Sequence, residues 1–255
     1  MQREARHAAI VNLVRQRGFV SIDVLAQHFN VTPQTMRRDI NELSDQELLQ
    51  RYHGGAGLTS SVEPTSYATR QVQFLSEKQR IARLCVQHIP NDSSLFINVG
   101  TTNEEVARAL LSHTGLRVIT NNLQVADILC DNRSCEVIVA GGAVRPVDRA
   151  IIGEATIDFV SQFRVDFGII GISGIDADGT LLDFDYREVR VAQAMIENSR
   201  QIFLVADHSK FERKPMVRLG DIGMLDAFFT DKTPPKGIVD LIDRYDVRLY
   251  TVESA

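Results

Sequence analysis

The most restrictive feature of this sequence is the stretch 31–43, which combines a helix start signal with a single apolar stripe. Thr32 is a good helix cap. Pro33 suits the first helical position, because the amide hydrogen that proline lacks would have no partner there anyway. The pattern predicts a short amphipathic helix with its other face open to a partner. The residues of its apolar stripe are Met36, Ile40 and Leu43.

A second short helix precedes this one over residues 21–29, and only a tight turn at Asn30 and Val31 separates the two. This spacing is typical of a helix-turn-helix, in which the second helix lies in the major groove of DNA. The alternative is an ordinary helical core with a solvated polar face. Exposed amide and guanidinium groups favour DNA, because they hydrogen-bond to adenine, guanine and phosphate. The predicted contacts are Ser21, Thr32, Gln34, Thr35, Arg37, Arg38 and Asn41.

A first helix over residues 4–17 backs this pair, and residues 48–56 predict a short hairpin that ends in a Gly-Gly turn. A helix-turn-helix followed by such a hairpin is a winged helix. In the hairpin, Arg51 and His53 are predicted to contact DNA phosphate or the minor groove. An exposed strand with polar side chains is an equally good explanation of these two residues.

The charge of the winged helix limits how it can bind DNA. The chain carries a net charge of −5, whereas residues 1–57 contain seven arginines and six acidic residues, a surplus of one positive charge. Electrostatic binding scales with the number of phosphates neutralised, so one such module is too weakly positive to hold DNA alone. We therefore expect a homo-oligomer in which several modules share one operator.

The sequence predicts no membrane span, export signal or metal site. No apolar run approaches the roughly 18 residues that a span needs, and residues 1–6 lead into no signal-peptide core. The cysteines, Cys85, Cys130 and Cys135, lack the paired spacing of a zinc site, and their odd number suits reduced thiols. We expect a soluble, cytoplasmic protein without a metal or a cofactor.

The length of 255 residues suits two domains. Residues 58–75 are rich in Ser and Thr and have no sustained period, which predicts a linker between a winged helix at 1–57 and a larger domain at 76–255. Ser76 and Gln79 are spaced as a capping box for the first helix of that domain. Short apolar strands then alternate with helices, which predicts a mainly parallel α/β sheet. The predicted strands are 95–99, 117–120, 136–140, 167–172, 201–206 and 248–252.

Glycine and polar residues follow several of these strands, at the sheet edge where α/β domains bind ligands. The first strand is followed by a Gly-Thr-Thr turn that opens a helix, and the free amide groups of such a turn suit a phosphate. One turn of this kind is a weak signal, but three at one sheet edge predict a pocket for a small phosphorylated ligand. The residues are Gly100, Thr101, Thr102, Asn121, Gly141 and Gly142.

Charged residues complete the predicted ligand site. Asp183 and Glu188 stand near the start of a later helix, where carboxylates can accept sugar hydroxyls. Asp185 and Glu188 also match a capping box, which would place Glu188 for structural reasons alone. Lys210 follows the fifth strand, as a point charge for phosphate or as a partner for Glu188. A solvated lysine is an equally good explanation.

These motifs together resemble the DeoR family of bacterial repressors. The resemblance rests on residues 32–39 and 53–55 in the winged helix, and on the strand-end motifs of the larger domain; it covers residues 3–252. It implies a DNA-binding transcriptional repressor with operator DNA as its partner. It also implies a larger domain similar in fold to ribose-5-phosphate isomerase, and a homotetramer. The strand-end motifs are 98–102, 120–122, 140–142, 171–176 and 207–211.

Within the family, residues 151–156, 161–164 and 184–190 resemble members that control glycerol genes. This implies glycerol 3-phosphate as the effector that releases the protein from DNA, with another phosphorylated sugar as the alternative. Residues 145–149 depart from the family pattern, so Arg145 is not counted among the predicted ligand residues. The rival hypothesis is an aldose-ketose isomerase with an attached DNA-binding module. Its candidate bases are Asp176, Asp178 and Glu188.

Overall fold

The computed structural model describes residues 3–17, 19–45, 48–52, 54–57 and 67–252. The chain divides into two compact units, Met1–Arg70 and Gln71–Ala255. In the described ranges, no helix is long and apolar enough to cross a membrane.

The first unit contains a winged helix, as predicted. Three strands form a small antiparallel sheet in the order β1-β3-β2, in which β2 and β3 are the wing. The sequence pattern does not predict β1, because three residues are too few to show an alternation. The elements are α1 (Arg3–Arg17), β1 (Phe19–Ser21), α2 (Ile22–Phe29), α3 (Pro33–Asp45), β2 (Gln50–Tyr52) and β3 (Gly55–Gly57).

The apolar stripe of α3 forms the centre of this unit. Met36, Ile40 and Leu43 are at most 1% exposed, and they pack with Ile10 of α1 and Leu25 of α2. These three side chains occupy one face of the helix, because three or four residues make one helical turn. The opposite face of α3 is therefore held outward.

Local signals begin α3 and end α2 as expected. The hydroxyl of Thr32 accepts the backbone amide of Thr35 at 3.1 Å, so Thr32 caps α3. Asn30 ends α2 in the left-handed conformation, with φ of 51°, which asparagine tolerates better than most residues. The tight turn between the two helices follows from these two residues.

Part of the predicted linker is helical. Within residues 58–75, helix α4 spans Tyr67–Val72, and the boundary between the two units falls inside it. None of its six residues is buried. A helix without a buried face needs no apolar stripe, so the sequence gives no periodic signal for α4. The guanidinium of Arg70 lies 5.9 Å from the centre of the Tyr67 ring, one helical turn away. Residues 58–66 lie outside the described residues.

The predicted capping box at Ser76 is wrong. Helix α5 spans Leu75–Val86, so Ser76 lies inside its first turn. Phe74 takes the cap position in a left-handed conformation with φ of 55°, and its carbonyl accepts the amide of Lys78 at 3.0 Å. A capping serine must precede the helix with an extended backbone, and here the chain enters α5 from a turn instead.

The second unit is built on a seven-stranded sheet in the order β15-β14-β12-β9-β4-β5-β6, and every neighbouring pair is parallel. This confirms the predicted α/β class. All six predicted strands are present, and β14 is added. The remaining elements are β4 (Ser94–Ile97), α6 (Thr101–Ala109), β5 (Arg117–Thr120), α7 (Leu123–Leu129), β6 (Glu136–Val139), β7 (Ala143–Arg145), β8 (Ala150–Ile152), α8 (Glu154–Val160), β9 (Val165–Ile170), β10 (Gly174–Ile175), β11 (Thr180–Asp183), α9 (Tyr186–Glu197), β12 (Ser199–Val205), β13 (Val217–Asp221), β14 (Ala227–Thr230), α10 (Lys236–Arg244) and β15 (Arg248–Thr251).

Helices cover both faces of this sheet. Leu95 and Ile97 of β4 pack in a core with α5, α6 and α7, whereas Phe96 between them packs in a second core with α8, α9 and α10. Side chains alternate between the faces of a strand, so a strand buried on both faces is apolar throughout. Outside the main sheet, β7 and β8 form a hairpin and β10, β11 and β13 form a small antiparallel sheet.

Candidate DNA-binding face and ligand cleft

The outward face of α3 carries the predicted reading residues. Gln34, Arg37, Arg38 and Asn41 are exposed and follow one another at helical spacing. The side chain of Arg38 is 80% exposed, with its Nε 3.5 Å from the carboxylate of Glu42. This face therefore presents amide and guanidinium groups to solvent.

The two threonines and the serine predicted at this face are engaged in local bonds. Thr35 lies half-buried in the first turn of α3, and its hydroxyl is 2.9 Å from that of Thr32. The hydroxyl of Ser21 caps α2, where it accepts the amide of Val24 at 3.3 Å. These bonds set the directions of the hydroxyl groups at the starts of both helices.

A hydrogen bond connects the wing to α3. Arg51 of β2 is exposed, and its Nη1 donates to Oδ1 of Asn41 at 2.9 Å. Arg37, Asn41 and Arg51 thereby line one groove between α3 and the wing. The predicted contact His53 lies outside the described residues.

A buried carboxylate ties α1 to α3. Asp39 is 2% exposed, and its oxygens accept hydrogen bonds from Arg6 at 2.7 and 3.1 Å. Nε2 of His7 lies 3.1 Å from the same carboxylate. Burial alone would raise the pKa of Asp39, but the bonds from Arg6 and His7 outweigh it and lower that pKa. No local pattern indicates this cluster, because its partners lie 33 and 32 residues away.

In the second unit, a cleft is expected where β4 and β9 lie side by side. From β4 the chain continues to β5 on one side, whereas from β9 it continues to β12 on the other. Ligands of open parallel sheets bind at such a switch point, beyond the carboxyl ends of the strands. The loops after these two strands carry Gly100 and Gly171.

Two buried asparagines hold these loops together. Asn98 and Asn103 are 3% and 0% exposed. The side-chain oxygen of Asn98 accepts the amide of Gly171 at 3.0 Å, and the amide of Asn103 donates to the carbonyls of Asn98 and Val99 at 3.0 and 3.2 Å. Through these bonds Asn98 connects the end of β4 with the loop after β9. Sequence reasoning did not count either asparagine as a site residue, although the family motif 98–102 includes Asn98.

The Gly-Thr-Thr turn lies at the start of α6. Gly100 precedes the helix with φ of 141°, a conformation that favours glycine. Thr101 and Thr102 are buried in the first turn, where backbone amide groups have no partner within the helix. The structure thus places these residues at the positive end of a helix, beyond the carboxyl end of β4.

The next strand ends contribute an acceptor and a tight turn. Asn121, 1% exposed, donates to the carbonyl of Ile151 at 3.0 Å, and its Oδ1 has no hydrogen-bond partner among the described residues. Thr156 donates to the carbonyl of Gly141 at 2.9 Å. A Cβ atom at Gly142 would lie 2.2 Å from the Thr156 hydroxyl, so only glycine fits there. Asn121 offers ligand chemistry, whereas Gly142 is required by the backbone.

Arg145 is the centre of an ion cluster. Its guanidinium binds Asp148 at 2.6 and 2.9 Å, Asp185 at 2.7 Å, and also Glu188. The four side chains are at most 21% exposed. Burial alone would lower the pKa of Arg145, but the bonds to Asp148 and the charge of Glu188 raise it. The hairpin β7–β8 is thereby joined to the start of α9, and Arg145 matters more than its departure from the family pattern indicated.

The start of α9 is capped as the sequence predicts. Asp185 accepts the backbone amide of Arg187 at 2.9 Å. Burial alone would raise the pKa of Asp185, but the bonds from Arg187 and Arg145 lower it. The nearby carboxylate of Asp183 is 8% exposed and accepts the hydroxyl of Ser173 at 2.9 Å and the amide of Phe184 at 2.7 Å.

Lys210 belongs to a second buried cluster, at the end of β12. Its Nζ lies 3.9 Å from the carboxylate of Asp207, which is 1% exposed. Burial would raise the pKa of Asp207, but Lys210, the hydroxyl of Ser209 and the charges of Lys78 and Arg213 lower it to about 2. Lys78 is 3% exposed on α5. Sequence reasoning missed it, since a lysine in a helix is usually solvated.

A winged helix with exposed polar side chains on α3, in one chain with an α/β domain whose strand ends carry polar residues, is typical of the class of ligand-responsive DNA-binding proteins. Residues 6–62 match the DeoR-like helix-turn-helix domain, and residues 73–232 match the DeoR C terminal sensor domain. The chain belongs to the DeoR family, which confirms the resemblance found in the sequence.

Two relatives match the chain along nearly its whole length. The glycerol-3-phosphate regulon repressor of Escherichia coli strain K12 is 53% identical over 98% of this chain and 99% of its own. That of Haemophilus influenzae is 49% identical over 98% of this chain and 97% of its own. Both are named as repressors rather than enzymes. The fold is also similar to ribose 5-phosphate isomerase A of Methanocaldococcus jannaschii, at 12% identity over 55% of each chain and a TM-score of 0.41.

Proposed function

We propose that this protein is a DNA-binding transcriptional repressor of genes for glycerol and glycerol 3-phosphate use, and that glycerol 3-phosphate releases it from operator DNA. The observation that carries the proposal is 53% identity to a glycerol-3-phosphate regulon repressor, which extends through both units of the chain. A DNA-binding protein of this kind acts in the cytoplasm.

The reading function is assigned to α3 and the wing. Gln34, Thr35 and Arg38 lie in the first two turns of α3, and residues at the start of a recognition helix contact base edges. An amide suits adenine and a guanidinium suits guanine. Arg37 and Arg51 supply charge for phosphates, while Ser21 and Thr32 lie at helix starts, where backbone amides also favour phosphate.

The ligand is assigned to the strand-end cleft of the second unit. Its phosphate binds at the turn Gly100–Thr102, with the amide groups of α6 and the charge of Lys210. Its hydroxyl groups donate to the oxygen of Asn121 and to the carboxylates of Asp183 and Glu188. A phosphate end and a hydroxyl end suit a short phosphorylated polyol. Gly141 and Gly142 shape the wall beside Asn121.

Release follows from linkage between the two sites. The ligand weakens operator binding only as far as it prefers a DNA-incompetent arrangement of the protein. We propose that this arrangement separates the reading helices of a homo-oligomer, a tetramer by family resemblance, so that they no longer match the operator spacing. The single surplus positive charge of residues 1–57 supports shared binding by several modules.

The isomerase alternative finds little support in the candidate bases. The carboxylate of Asp178 accepts the amide of Thr180 at 2.9 Å, which lowers the pKa of Asp178. Glu188 is paired with the guanidinium of Arg145. An efficient base needs a pKa near the working pH, whereas these contacts favour the ionised carboxylate of a binding site.

The test is a fluorescence anisotropy titration of operator DNA with the full-length protein. The DNA is taken from upstream of the glycerol genes of the same organism. Saturating glycerol 3-phosphate is expected to weaken binding by at least tenfold, the scale of ordinary allosteric coupling. Glycerol, inorganic phosphate and ribose 5-phosphate serve as controls. If glycerol 3-phosphate leaves operator affinity unchanged and ribose 5-phosphate releases the protein, the proposed effector is wrong. The proposed repressor function then still holds.

A further inference from the structure

A groove of about 280 Å³ lies between α3 and the wing, and its wall and rim differ in chemistry. Ile22, Ile40 and Tyr52 are buried apolar residues of its wall. The rim residues are exposed and polar: Arg37, Asn41 and Arg51. In the part of the chain that the structure describes, no carboxylate lines this groove.

One hydrogen bond fixes which way the amide of Asn41 faces. Arg51 donates to it at 2.9 Å, and a guanidinium has only donors. The atom of Asn41 that meets Arg51 must therefore be its oxygen, and its NH₂ group points elsewhere. An asparagine that reads adenine needs both its oxygen and its nitrogen. Arg51 takes one of the two lone pairs of this oxygen and holds it toward the wing, so the side of the Asn41 amide that faces away from Arg51 is its NH₂ group, a donor.

We propose that this groove holds the sugar-phosphate backbone of one operator strand, and that Asn41 contacts a phosphate there instead of reading adenine. The proposal rests on the DNA-binding function proposed above. Phosphate oxygens only accept hydrogen bonds, so they match a rim made of donors. Two guanidinium groups, on Arg37 and Arg51, match the charge of the backbone, and the apolar wall suits the carbon atoms of a deoxyribose.

In this proposal, the two parts of α3 contact different parts of the DNA. Gln34, Thr35 and Arg38 in its first two turns read bases, while Asn41, in its third turn, sets how deeply the helix enters the groove. Phosphate contacts position a protein on the duplex and carry no sequence information directly. Asn41 is therefore a positioning residue for base recognition, and Arg51 holds it in place.

The experiment selects randomised duplexes with the full-length protein and with Asn41→Ala, followed by affinity measurements on the selected sequences. The variant is expected to bind every selected sequence about tenfold more weakly, with their ranking unchanged. A preference relaxed at a single base pair would return Asn41 to base reading and overturn the proposal. Unchanged affinity would overturn it as well.

The salt dependence of operator binding, together with binding to modified DNA, distinguishes the charge of Arg51 from the neutral hydrogen bond of Asn41. Arg51→Ala is expected to reduce the slope of log affinity against log salt by about one, whereas Asn41→Ala leaves the slope unchanged because the amide is neutral. Methylphosphonates are then placed one at a time along the operator. One neutral linkage should weaken the wild-type protein but add nothing to the Arg51→Ala, Asn41→Ala double variant. Additive losses at every linkage would contradict the proposal.

Control variants keep the outcomes distinct. Asn12 is an exposed amide on α1, so Asn12→Ala should leave binding unchanged. Arg38→Ala should alter the base preference, as Asn41→Ala should not. If the wild-type protein selects no sequence at all, the repressor function fails; if it selects a clear operator and Asn41→Ala changes the preferred bases, only the present inference fails.

Discussion

Both units contain buried ion clusters, and the side chains at the centres of two of them, Asp39 in the first unit and Arg145 in the second, have opposite charge. In the winged helix, the carboxylate of Asp39 is surrounded by Arg6 and His7. In the sensor domain, the guanidinium of Arg145 is surrounded by three carboxylates. A guanidinium has five donors, whereas each carboxylate has about four acceptor sites. Acceptors thus outnumber the donors of Arg145, and they do so near the proposed hydroxyl end of the ligand.

This difference suggests different roles: the Asp39 cluster is structural, whereas the carboxylates around Arg145 can also bind a ligand. Asp39 joins two helices, α1 and α3, through its contacts with Arg6 and His7. Asp185 and Glu188 belong both to the start of α9 and to the cluster, so we expect a change in their partners to affect the hairpin that carries Arg145. The variants below test this contrast.

The largest effect is expected from Arg145→Ala. Removing the guanidinium leaves three largely buried carboxylates uncompensated, which should lower the free energy of unfolding of the sensor domain by about 4 kcal/mol. Urea unfolding followed by circular dichroism measures this loss. The matched control is Arg117→Ala, which breaks an exposed pair with Glu136 and should cost less than about 1 kcal/mol. Equal losses in the two variants would show that burial of the cluster is unimportant.

Asp39→Asn should destabilise the winged helix by about 2 kcal/mol, the scale of hydrogen bonds to a charged group. The loss is expected to be smaller than for Arg145→Ala because asparagine keeps the size of the side chain and an oxygen that still accepts hydrogen bonds, whereas alanine removes the whole guanidinium. Amide hydrogen exchange reads the two units separately. Faster exchange is expected in peptides from α1 and α3, and unchanged exchange in those from α5. Faster exchange in both units would contradict a local role for Asp39.

We expect the stabilising contribution of Asp39 to decrease as the pH is lowered. The pKa of Asp39 is lowered in the folded protein, so its contribution is complete above the unfolded value of about 3.9 and is lost as the pH falls through the folded value. Exchange from α1 and α3, measured between pH 6 and pH 3 and corrected for intrinsic rates, should accelerate toward the acid end. In Asp39→Asn this added acceleration should be smaller, because the amide does not titrate.

Arg38→Ala should lower specific operator affinity by about 2 kcal/mol and relax the preference at one base pair. Its side chain is 80% exposed, so folding should be unaffected. Anisotropy with single-base operator variants measures both changes. A uniform loss over all sequences would identify Arg38 as a phosphate contact and would leave the reading face without its guanine partner.

Thr102→Val is expected to have the smallest effect, about 1 kcal/mol on effector affinity. Valine keeps the volume of this buried side chain but removes its hydroxyl, so operator binding without effector should stay the same. Anisotropy titrations with glycerol 3-phosphate at fixed protein concentration measure the shift. Loss of operator binding as well would indicate a folding defect and would place Thr102 in the core instead of the ligand site.

Much of the fold follows from local patterns, and the exceptions have physical causes. The stripe of α3 and the alternation of strands and helices are both periodic, so they predict the winged helix and the parallel sheet. Strand β14 was not predicted although β4 and β5 have the same length of four residues, because a short apolar run by itself does not distinguish a strand from a helical segment. The cap of α5 was mispredicted because Phe74 adopts a left-handed conformation that no sequence rule assigns to phenylalanine.

The candidate site was predictable only where its residues follow a strand. Gly100 and Asn121 were predicted in this way, since the carboxyl ends of parallel strands meet at one edge, and they remain candidates for ligand binding. The ion cluster was not, because Arg145 lies 40 and 43 residues before Asp185 and Glu188. Contacts over such distances depend on how the hairpin β7–β8 folds back onto α9. Lys78 was missed for a related reason, since its burial depends on packing between α5 and the sheet.

The connection between the loops after β4 and β9 affects how this protein could be re-engineered. Asn98 joins the end of β4 to the loop after β9 through its bond with Gly171, and Asn103 binds Asn98 from the start of α6. A biosensor for a different phosphorylated metabolite would therefore keep both asparagines and vary Asn121 and Asp183 around them. Ligand specificity could then be changed by exchanging a few side chains on an unchanged scaffold. Expression from the controlled promoter would report the change.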